Sequence, residues 1–255
     1  MHTSKLLKIS VITVTYNSVA TILDCLHSIR SQTYTNIEHI VVDGGSEDGT
    51  IGILKEHLKN IDALLIEPDN GIYDALNKGF SIASGGIIGI MHSDDTYYDE
   101  SVLDRVALLF KNPKIDYVYG DINMIDDFGV TKRYWKTGKL KKGRISSNQI
   151  PHPALFLSKK LVDKLIPPFD DSYKIAADLK QQLIIANVLC AEGVYLRAPL
   201  VKMRIGGAST KNLRAYLNGW TESRRAWNEV HGSGGAFYVL KKITSKIQGI
   251  KGFFL

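Results

Sequence analysis

Long apolar runs are missing from this chain. None of its 255 residues sits in a stretch long enough to span a bilayer. The first eight positions (1–8) carry no apolar core followed by a small-residue cleavage site, so a cytoplasmic protein is expected. Cysteine is scarce. Cys25 and Cys190 lie far apart in helix-like segments, with no metal-type spacing, and read as buried free thiols. Acid is absent from two segments. Residues 128–162 hold no Asp or Glu, while Lys132, Arg133, Lys136, Lys139, Lys141, Lys142, Arg144, Lys159 and Lys160 are all basic. After Glu229 there is again no acid, and Lys241, Lys242, Lys246 and Lys251 follow. Within a net charge of +6, this asymmetry points either to an anionic partner or to a solvated loop and tail. Two phosphate-binding signatures are also missing: there is no G-x-G-x-x-G and no Gly-Lys-Ser/Thr loop.

What is present is an ordinary globular composition, 44% hydrophobic and 23% charged, with enough length for a large core. Short apolar runs alternate with helical patterns through the first half. Strands are predicted at 9–15, 37–42, 63–66 and 87–91, and helices at 18–31, 48–58 and 71–83. Asn17 or Ser18 is the expected cap of the first helix, with Ile22, Leu26 and Ile29 on its inner face. This order predicts an α/β fold: right-handed βαβ units, a mostly parallel central sheet, and helices on both faces. The second half is less regular. Strands are expected at 117–122, 130–135, 152–157 and 200–205, helices at 158–165, 176–191 and 209–230, and a mobile lysine-rich loop at 137–144. A glycine break at 231–235 precedes an amphipathic segment at 237–255, with Leu240, Ile243, Ile247, Ile250 and Phe254 on one face.

In such sheets ligands bind beyond the carboxyl ends of the strands. Those ends carry Thr15-Tyr16-Asn17, Asp43-Gly44-Gly45-Ser46, Pro68-Asp69-Asn70 and Ser93-Asp94-Asp95. Two adjacent carboxylates at the tip of a buried strand are unstable as bare charges. A divalent cation carrying a diphosphate is the partner that best fits Asp94 and Asp95. Mg²⁺ and Mn²⁺ take oxygen ligands, often only one or two of them from protein. Asp43 can accept hydrogen bonds from a base imide or sugar hydroxyls, and Gly44 lets a ligand approach the backbone. Local capping by Ser46 or Asp48 is the plainer role for that turn, but does not account for Asp43. Lys78 reads as a surface lysine or a point charge for phosphate. Strand alternation from Ser93 turns His92 away from the acidic pair.

Taken in order, several of these segments resemble a known family. They are Thr13-Val14-Thr15-Tyr16-Asn17, Val42-Asp43-Gly44-Gly45-Ser46, Gly71-Ile72-Tyr73-Asp74-Ala75 with Asn77-Lys78-Gly79, and Ser93-Asp94-Asp95. They resemble inverting family 2 glycosyltransferases of the GT-A fold, in the bacterial branch that builds O-antigen, capsule and exopolysaccharide. Weaker likeness continues through Pro151-His152-Pro153 and Ala177-Asp178 to Gly206-Gly207 with Ser209-Thr210. The resemblance implies a nucleotide-sugar donor, most often UDP-linked, and a Mn²⁺ or Mg²⁺ ion. By analogy Thr15 and Tyr16 border the uracil, Asp43 pairs with its imide, Asp94 holds the ribose and Asp95 ligates the metal. Asn17, Gly44, Asp69, Tyr73 and Ser93 complete the donor surface, and Lys78 assists at the diphosphate. Asp178 matches the general-base position, although a helix N-cap would sit there equally well. Family members often have Glu-Asp at this point; Ala177 leaves Asp178 as the only local candidate. His152 touches the acceptor or the phosphates, and Arg204 with the loop holding Ser209 closes over the diphosphate.

The same resemblance divides the chain into a GT-A catalytic domain at 1–230 and a basic C-terminal helical extension at 231–255. The domain comprises a nucleotide-binding half at 1–122 and an acceptor-side half at 123–230. The acceptor is expected to be a saccharide, carried on a polyprenyl diphosphate. Both basic regions would then meet the cytoplasmic face of the inner membrane, the tail through residues 237–255. Two other classes fit less well. A sugar-phosphate nucleotidyltransferase places a glycine-rich loop with Arg and Lys after its first strand, where this chain has Thr15-Tyr16-Asn17-Ser18. A nucleic-acid binder is suggested by the isoelectric point near 9.1, but the aromatic signatures of such modules are absent, so no nucleic-acid partner is expected.

Overall fold

A computed structural model describes residues 6–147, 149–206 and 213–251. The strands are β1 (Ile9–Thr15), β2 (Ile37–Asp43), β3 (Ala63–Ile66), β4 (Ile87–His92), β5 (Thr96–Tyr97), β6 (Tyr117–Ile125), β7 (Thr131–Trp135), β8 (Leu155–Ser158) and β9 (Gly193–Arg204). The helices are α1 (Ile22–Arg30), α2 (Thr50–Glu56), α3 (Ile72–Ile82), α4 (Val102–Phe110), α5 (Lys159–Val162), α6 (Ala177–Leu183), α7 (Leu213–His231) and α8 (Gly235–Lys251). One sheet runs β3-β2-β1-β4-β8-β6-β9-β5, with β7 paired to β6. β3, β2, β1 and β4 are mutually parallel; β8 is antiparallel to both β4 and β6, and β6 is parallel to β9. The expected architecture is therefore present: a mostly parallel α/β sheet of GT-A type, extended by C-terminal helices.

All seven residues of β1 are buried, as a central strand covered on both faces requires. Alternation splits the apolar side chains between two layers. Ile12, Val14, Ile40, Val42 and Ile90 pack with Tyr73, Leu76 and Phe80 of α3 and Leu179 and Leu183 of α6. Ile9, Val11, Ile87 and Met91 pack with Cys25 and Ile29 of α1 and with α4. Gly79 shows how close α3 lies to the sheet. A Cβ there would stand 2.4 Å from Ile12 Cγ2, so only glycine fits that crossing.

Several boundaries differ from expectation. The first helix begins at Ile22, not 18, because residues 17–19 bond to neighbouring loops; Asn17 adopts a φ of +50°. Residues 152–154 form a 3-10 turn before the short antiparallel β8. The last expected strand starts earlier, and β9 is 12 residues long. The lysine-rich loop is pinned: Thr137 N–H donates to Asp121 Oδ1 at 2.7 Å, and Leu140 N–H to Tyr119 Oη at 3.0 Å. Asp121 also accepts from the hydroxyls of Tyr134 and Tyr195. Cys25 is buried as expected, but Cys190 is exposed. The segment after Gly234 is a helix seated on the domain. Its Tyr238 is buried and stacks on Trp227 with ring centroids 4.5 Å apart. Ile247 and Ile250 lie where only the helical backbone is described, and Phe254 lies outside the described residues. Among the described residues no helix is long and apolar enough to cross a membrane.

Candidate active site

The ends of β1, β2 and β4 meet at one edge and are tied together by side-chain hydrogen bonds. Asn17 N–H donates to Ser46 Oγ at 2.8 Å, and Asn17 Oδ1 accepts from Glu47 N–H at 2.9 Å. Ser18 N–H donates to Thr50 Oγ1, and the hydroxyls of Ser18 and Ser93 share a hydrogen bond of 2.8 Å. Three strand ends thus form one rigid rim. Asp43 is fully buried and accepts from Gly45 N–H, Ser46 N–H and Ser46 Oγ. A carboxylate offers about four lone-pair sites. Asp43 therefore holds the turn and retains room for about one further donor. Gly44 lies against Asp69: a Cβ would stand 2.4 Å from Asp69 Oδ2 and 3.4 Å from the Tyr16 ring. The exposed Tyr16, Gly44 and Asp69 therefore share one wall of the rim.

Asp95 is 1% exposed. Its described partner is a long bond of 3.3 Å from Arg204 N–H, and no ion pair reaches it among the described residues. Burial, and then the neighbouring Asp94 charge, hold its carboxyl well above the usual range. Such a group is suited to hold a cation. Among the described residues no three His, Cys, Asp or Glu side chains converge as a complete metal cage. The pair Asp94 and Asp95 nevertheless fits Mn²⁺ or Mg²⁺, which take most of their oxygen ligands from phosphate and water. Two orphaned buried atoms lie on neighbouring segments, Thr15 Oγ1 at the end of β1 and His152 Nε2. His152 stacks on Phe169 and meets His92 edge-on, each at 5.4 Å. His92, expected to turn away from the acids, thus faces His152 and feels the Asp94 charge. Burial lowers His152 to about 3, so its ring is neutral. Beside this corner an open cleft of about 440 Å³ runs between α1 and β9, lined by Asp24, Asp94, Tyr98, Lys202 and Arg204.

On the other side stands Asp178, in the first turn of α6. Its Oδ1 accepts from Leu179 N–H at 2.8 Å and its Oδ2 from Gln149 Nε2 at 2.5 Å. Burial is the largest influence and raises its carboxyl to about 6. That value suits a general base working near neutral pH. The approach to α6 is held from α7: Glu222 accepts from the N–H groups of Lys174, Ile175 and Ala176 at 2.8–3.0 Å. The N-cap position is Ala176, and Asp178 sits in the first turn, so Asp178 is not itself the cap.

Three expected donor contacts are committed elsewhere. The Lys78 ammonium donates to Pro68 O and pairs with Glu67 and Asp74, which occupies its three hydrogens. The Tyr73 hydroxyl donates to Ile175 O at 2.7 Å, anchoring the approach to α6. The Arg204 guanidinium bonds to Asp24 and to Asp127 O, so only its backbone meets Asp95. Ser209 lies outside the described residues. Sequence reasoning missed Gln149 and Glu222, and carried Asn77 within the Asn77-Lys78-Gly79 segment without a role. The amide of Asn77 exchanges two hydrogen bonds with the Phe169 backbone. The position of Asn77 beside Lys78 and Gly79 was its only signal; Gln149 and Glu222 had none.

Comparisons with known proteins bear on the fold and the family. An uncharacterized glycosyltransferase of Mycobacterium tuberculosis is 32% identical over 206 residues, 79% of this chain and 77% of that one. A PGL/p-HBAD biosynthesis glycosyltransferase of Mycobacterium bovis is 33% identical over 173 residues, 66% of each chain. Among solved structures, S. aureus TarS 1–349 in complex with UDP-GlcNAc has a TM-score of 0.64 at 18% identity, covering 86% of this chain and 65% of that one. A mannosyltransferase from Pyrobaculum calidifontis, in complex with GDP-Man and Mn²⁺, has a TM-score of 0.62 at 16% identity, covering 97% and 76%. This chain spans only 42% of a longer TarS chain. At such identities the structural likeness carries the fold. The sequence match carries the family: residues 10–165, from β1 through α5, match glycosyl transferase family 2, and the chain belongs to it.

Proposed function

We propose that this protein transfers a sugar from a nucleoside-diphosphate sugar, most simply a UDP-hexose, to a saccharide hydroxyl with inversion. The observation that carries the reading is Asp95: a fully buried carboxyl at a strand-end rim, held well above the usual range by burial and by Asp94, with one long backbone hydrogen bond as its described partner. The nucleoside would lie along Thr15, Tyr16, Asp43, Gly44 and Asp69, with Asp94 at the ribose. Asp95, with Asp94 beside it, would hold Mn²⁺ or Mg²⁺. Bound there, the ion offsets the charge that develops on the departing diphosphate. Asn17, Ser18 and Ser93 keep the rim rigid, so the donor meets a preformed surface.

Asp178 is the general base. As the acceptor oxygen attacks the anomeric carbon, its proton passes to Asp178 and the bond to the diphosphate oxygen breaks on the opposite face. A single displacement of this kind inverts the anomeric centre. His152, neutral and orphaned, offers a donor or acceptor to the acceptor sugar or to phosphate. A saccharide carried on a lipid diphosphate fits the basic, acid-free segments, which would hold the enzyme at an anionic membrane face.

The experiment is Mn²⁺-dependent release of nucleoside diphosphate from UDP-glucose, UDP-N-acetylglucosamine and GDP-mannose, with Asp95→Ala and Asp178→Asn alongside. Asp95→Ala should lose metal-dependent turnover by about 100-fold or more. Asp178→Asn should keep donor binding by calorimetry and lose turnover. Native rates in either variant overturn the corresponding assignment.

A further inference from the structure

We propose that the C-terminal helix α8 belongs to the catalytic apparatus, with Lys242, acting through Gln149, as a positioning group for Asp178. The inference rests on the reading of Asp178 as the base. Gln149 stands between the two groups. Its Nε2 donates to Asp178 Oδ2 at 2.5 Å, and its Oε1 accepts from Lys242 Nζ at 3.0 Å. The direction of this relay follows from chemistry. An ammonium has donors and no acceptor, so the amide oxygen of Gln149 must face Lys242. Its NH₂ group is then obliged to face the carboxylate. Without Lys242 only Asp178 itself orients the amide, and the tether on its Oδ2 loses its far anchor.

Lys242 is itself held in place. Its Nζ also lies 3.4 Å from Ser223 Oγ on α7. The start of α8 is fixed because Gly235 N–H donates to Asn228 Oδ1 at 2.8 Å, and a Cβ at Gly235 would stand 2.4 Å from Arg224 O. One turn before Lys242, Tyr238 is buried against Trp227. A helix that lies outside the family-matched residues 10–165 therefore reaches the carboxylate with a fixed geometry. The titratable groups around Asp178 are Lys242 and Tyr238 from α8 and Tyr73 from α3. Among the described residues Lys242 is the cation in this group, and it opposes the rise that burial imposes on the carboxyl.

The test uses the full chain. Carboxyl-labelled aspartate, followed by NMR, gives the titration of Asp178, assigned by its loss in Asp178→Asn. Turnover against pH is read from Mn²⁺-dependent nucleoside diphosphate release with the same three donors. Lys242→Met should raise the Asp178 midpoint by about half a unit or more and move the acid limb of kcat upward equally. Donor KM should change less than about twofold, since the relay does not touch the donor. Lys242→Arg should restore the native limb. Gln149→Leu removes the relay without touching α8 and should shift the limb in the same direction, so a misfolded Lys242→Met still leaves a decisive variant. Folded Lys242→Met or Gln149→Leu protein with a native midpoint and native limb overturns the proposal. If Asp178→Asn is inactive at that point, the base assignment stands and only the relay fails. If Asp178→Asn turns over at the native rate, the base assignment itself is wrong.

Discussion

At Asp178 the property that equips a base works against the fold. Burial raises its carboxyl to about 6, above the ordinary value, so the folded state favours the protonated form. A carboxyl shifted this way stabilises the fold below its unfolded pKa, near 4, and that contribution is lost as pH rises through about 6. At neutral pH the ionised Asp178 is therefore a net cost. Asparagine has nearly the same shape and carries no charge, but its single oxygen accepts from only one of Leu179 N–H and Gln149 Nε2, and its NH₂ meets the other donor. Asp178→Asn should raise stability at neutral pH by less than about 2 kcal/mol, and the gain should shrink as pH falls toward 4. Urea unfolding of both proteins at the two pH values checks this. An equal difference at both would mean that desolvation of the charge is not the cause. At this scale the sequence was a good guide to residue type and a poor one to commitment. Asp43, Asp94, Asp95 and Asp178 stand at the expected strand and helix ends. Nothing local revealed that Lys78, Tyr73 and Arg204 would spend their polar groups on Pro68, Ile175 and Asp24.

Elements in this protein owe their ends to distant residues. The N-terminus of α6 has no side-chain cap of its own at Ala176. Glu222, 46 residues from Ala176, receives the backbone N–H groups of Lys174, Ile175 and Ala176, the three residues that lead into the helix. Replacing it with alanine leaves those donors in a half-buried place without an acceptor. Glu222→Ala should cost about 2 kcal/mol, and Glu222→Gln, which keeps one oxygen, about half as much. Chemical denaturation measures both. Because Asp178 rides on the first turn of α6, turnover should fall with stability in the same order. A variant as stable as the native protein would mean that water replaces Glu222 fully. This explains the uneven legibility of the fold. In the first half each parallel strand is a short, mostly apolar run with Gly, Asn or Asp at or within three residues of its end, and β3 at Ala63–Ile66 matches its expected bounds. The first helix is shorter than expected because Asn17 and Ser18 look like caps, whereas their partners Ser46, Thr50 and Ser93 lie beyond β2, at the start of α2 and beyond β4. In the second half, β8 is four residues inserted antiparallel between β4 and β6, a pairing with no local signature.

For the whole molecule the uneven charge was plain in the sequence, but its placement depends on how the two halves close. Asn187 joins the basic segment to the C-terminal helices. Its side chain bonds the backbone of Ile145, just after the lysine-rich loop, and lies 3.1 Å from His231 at the end of α7. Lys242 reaches Gln149 on the same segment. The exposed Lys139, Lys141, Lys142 and Arg144 lead into this joint, and early in α8 Phe237 and Leu240 stand 71% and 58% exposed. Exposed cations and exposed apolar side chains are together suited to an anionic lipid surface. Each Lys or Arg near such a surface contributes about 1 kcal/mol, screened by salt. The full chain should co-sediment with vesicles containing phosphatidylglycerol and stay in solution with phosphatidylcholine alone. Lys141→Gln with Lys142→Gln should weaken that partition about 10-fold or more, and high salt should abolish what remains. Phe237→Ser with Leu240→Ser should weaken it without changing its salt dependence, since those positions contribute burial rather than charge. Deleting α8 would be the wrong experiment, because it also removes Tyr238 and Lys242 from the domain and from Asp178. Equal partition onto neutral and anionic vesicles, or native binding by the double-lysine variant, would mean that these cations face solvent and that the acceptor is brought to the enzyme by other means.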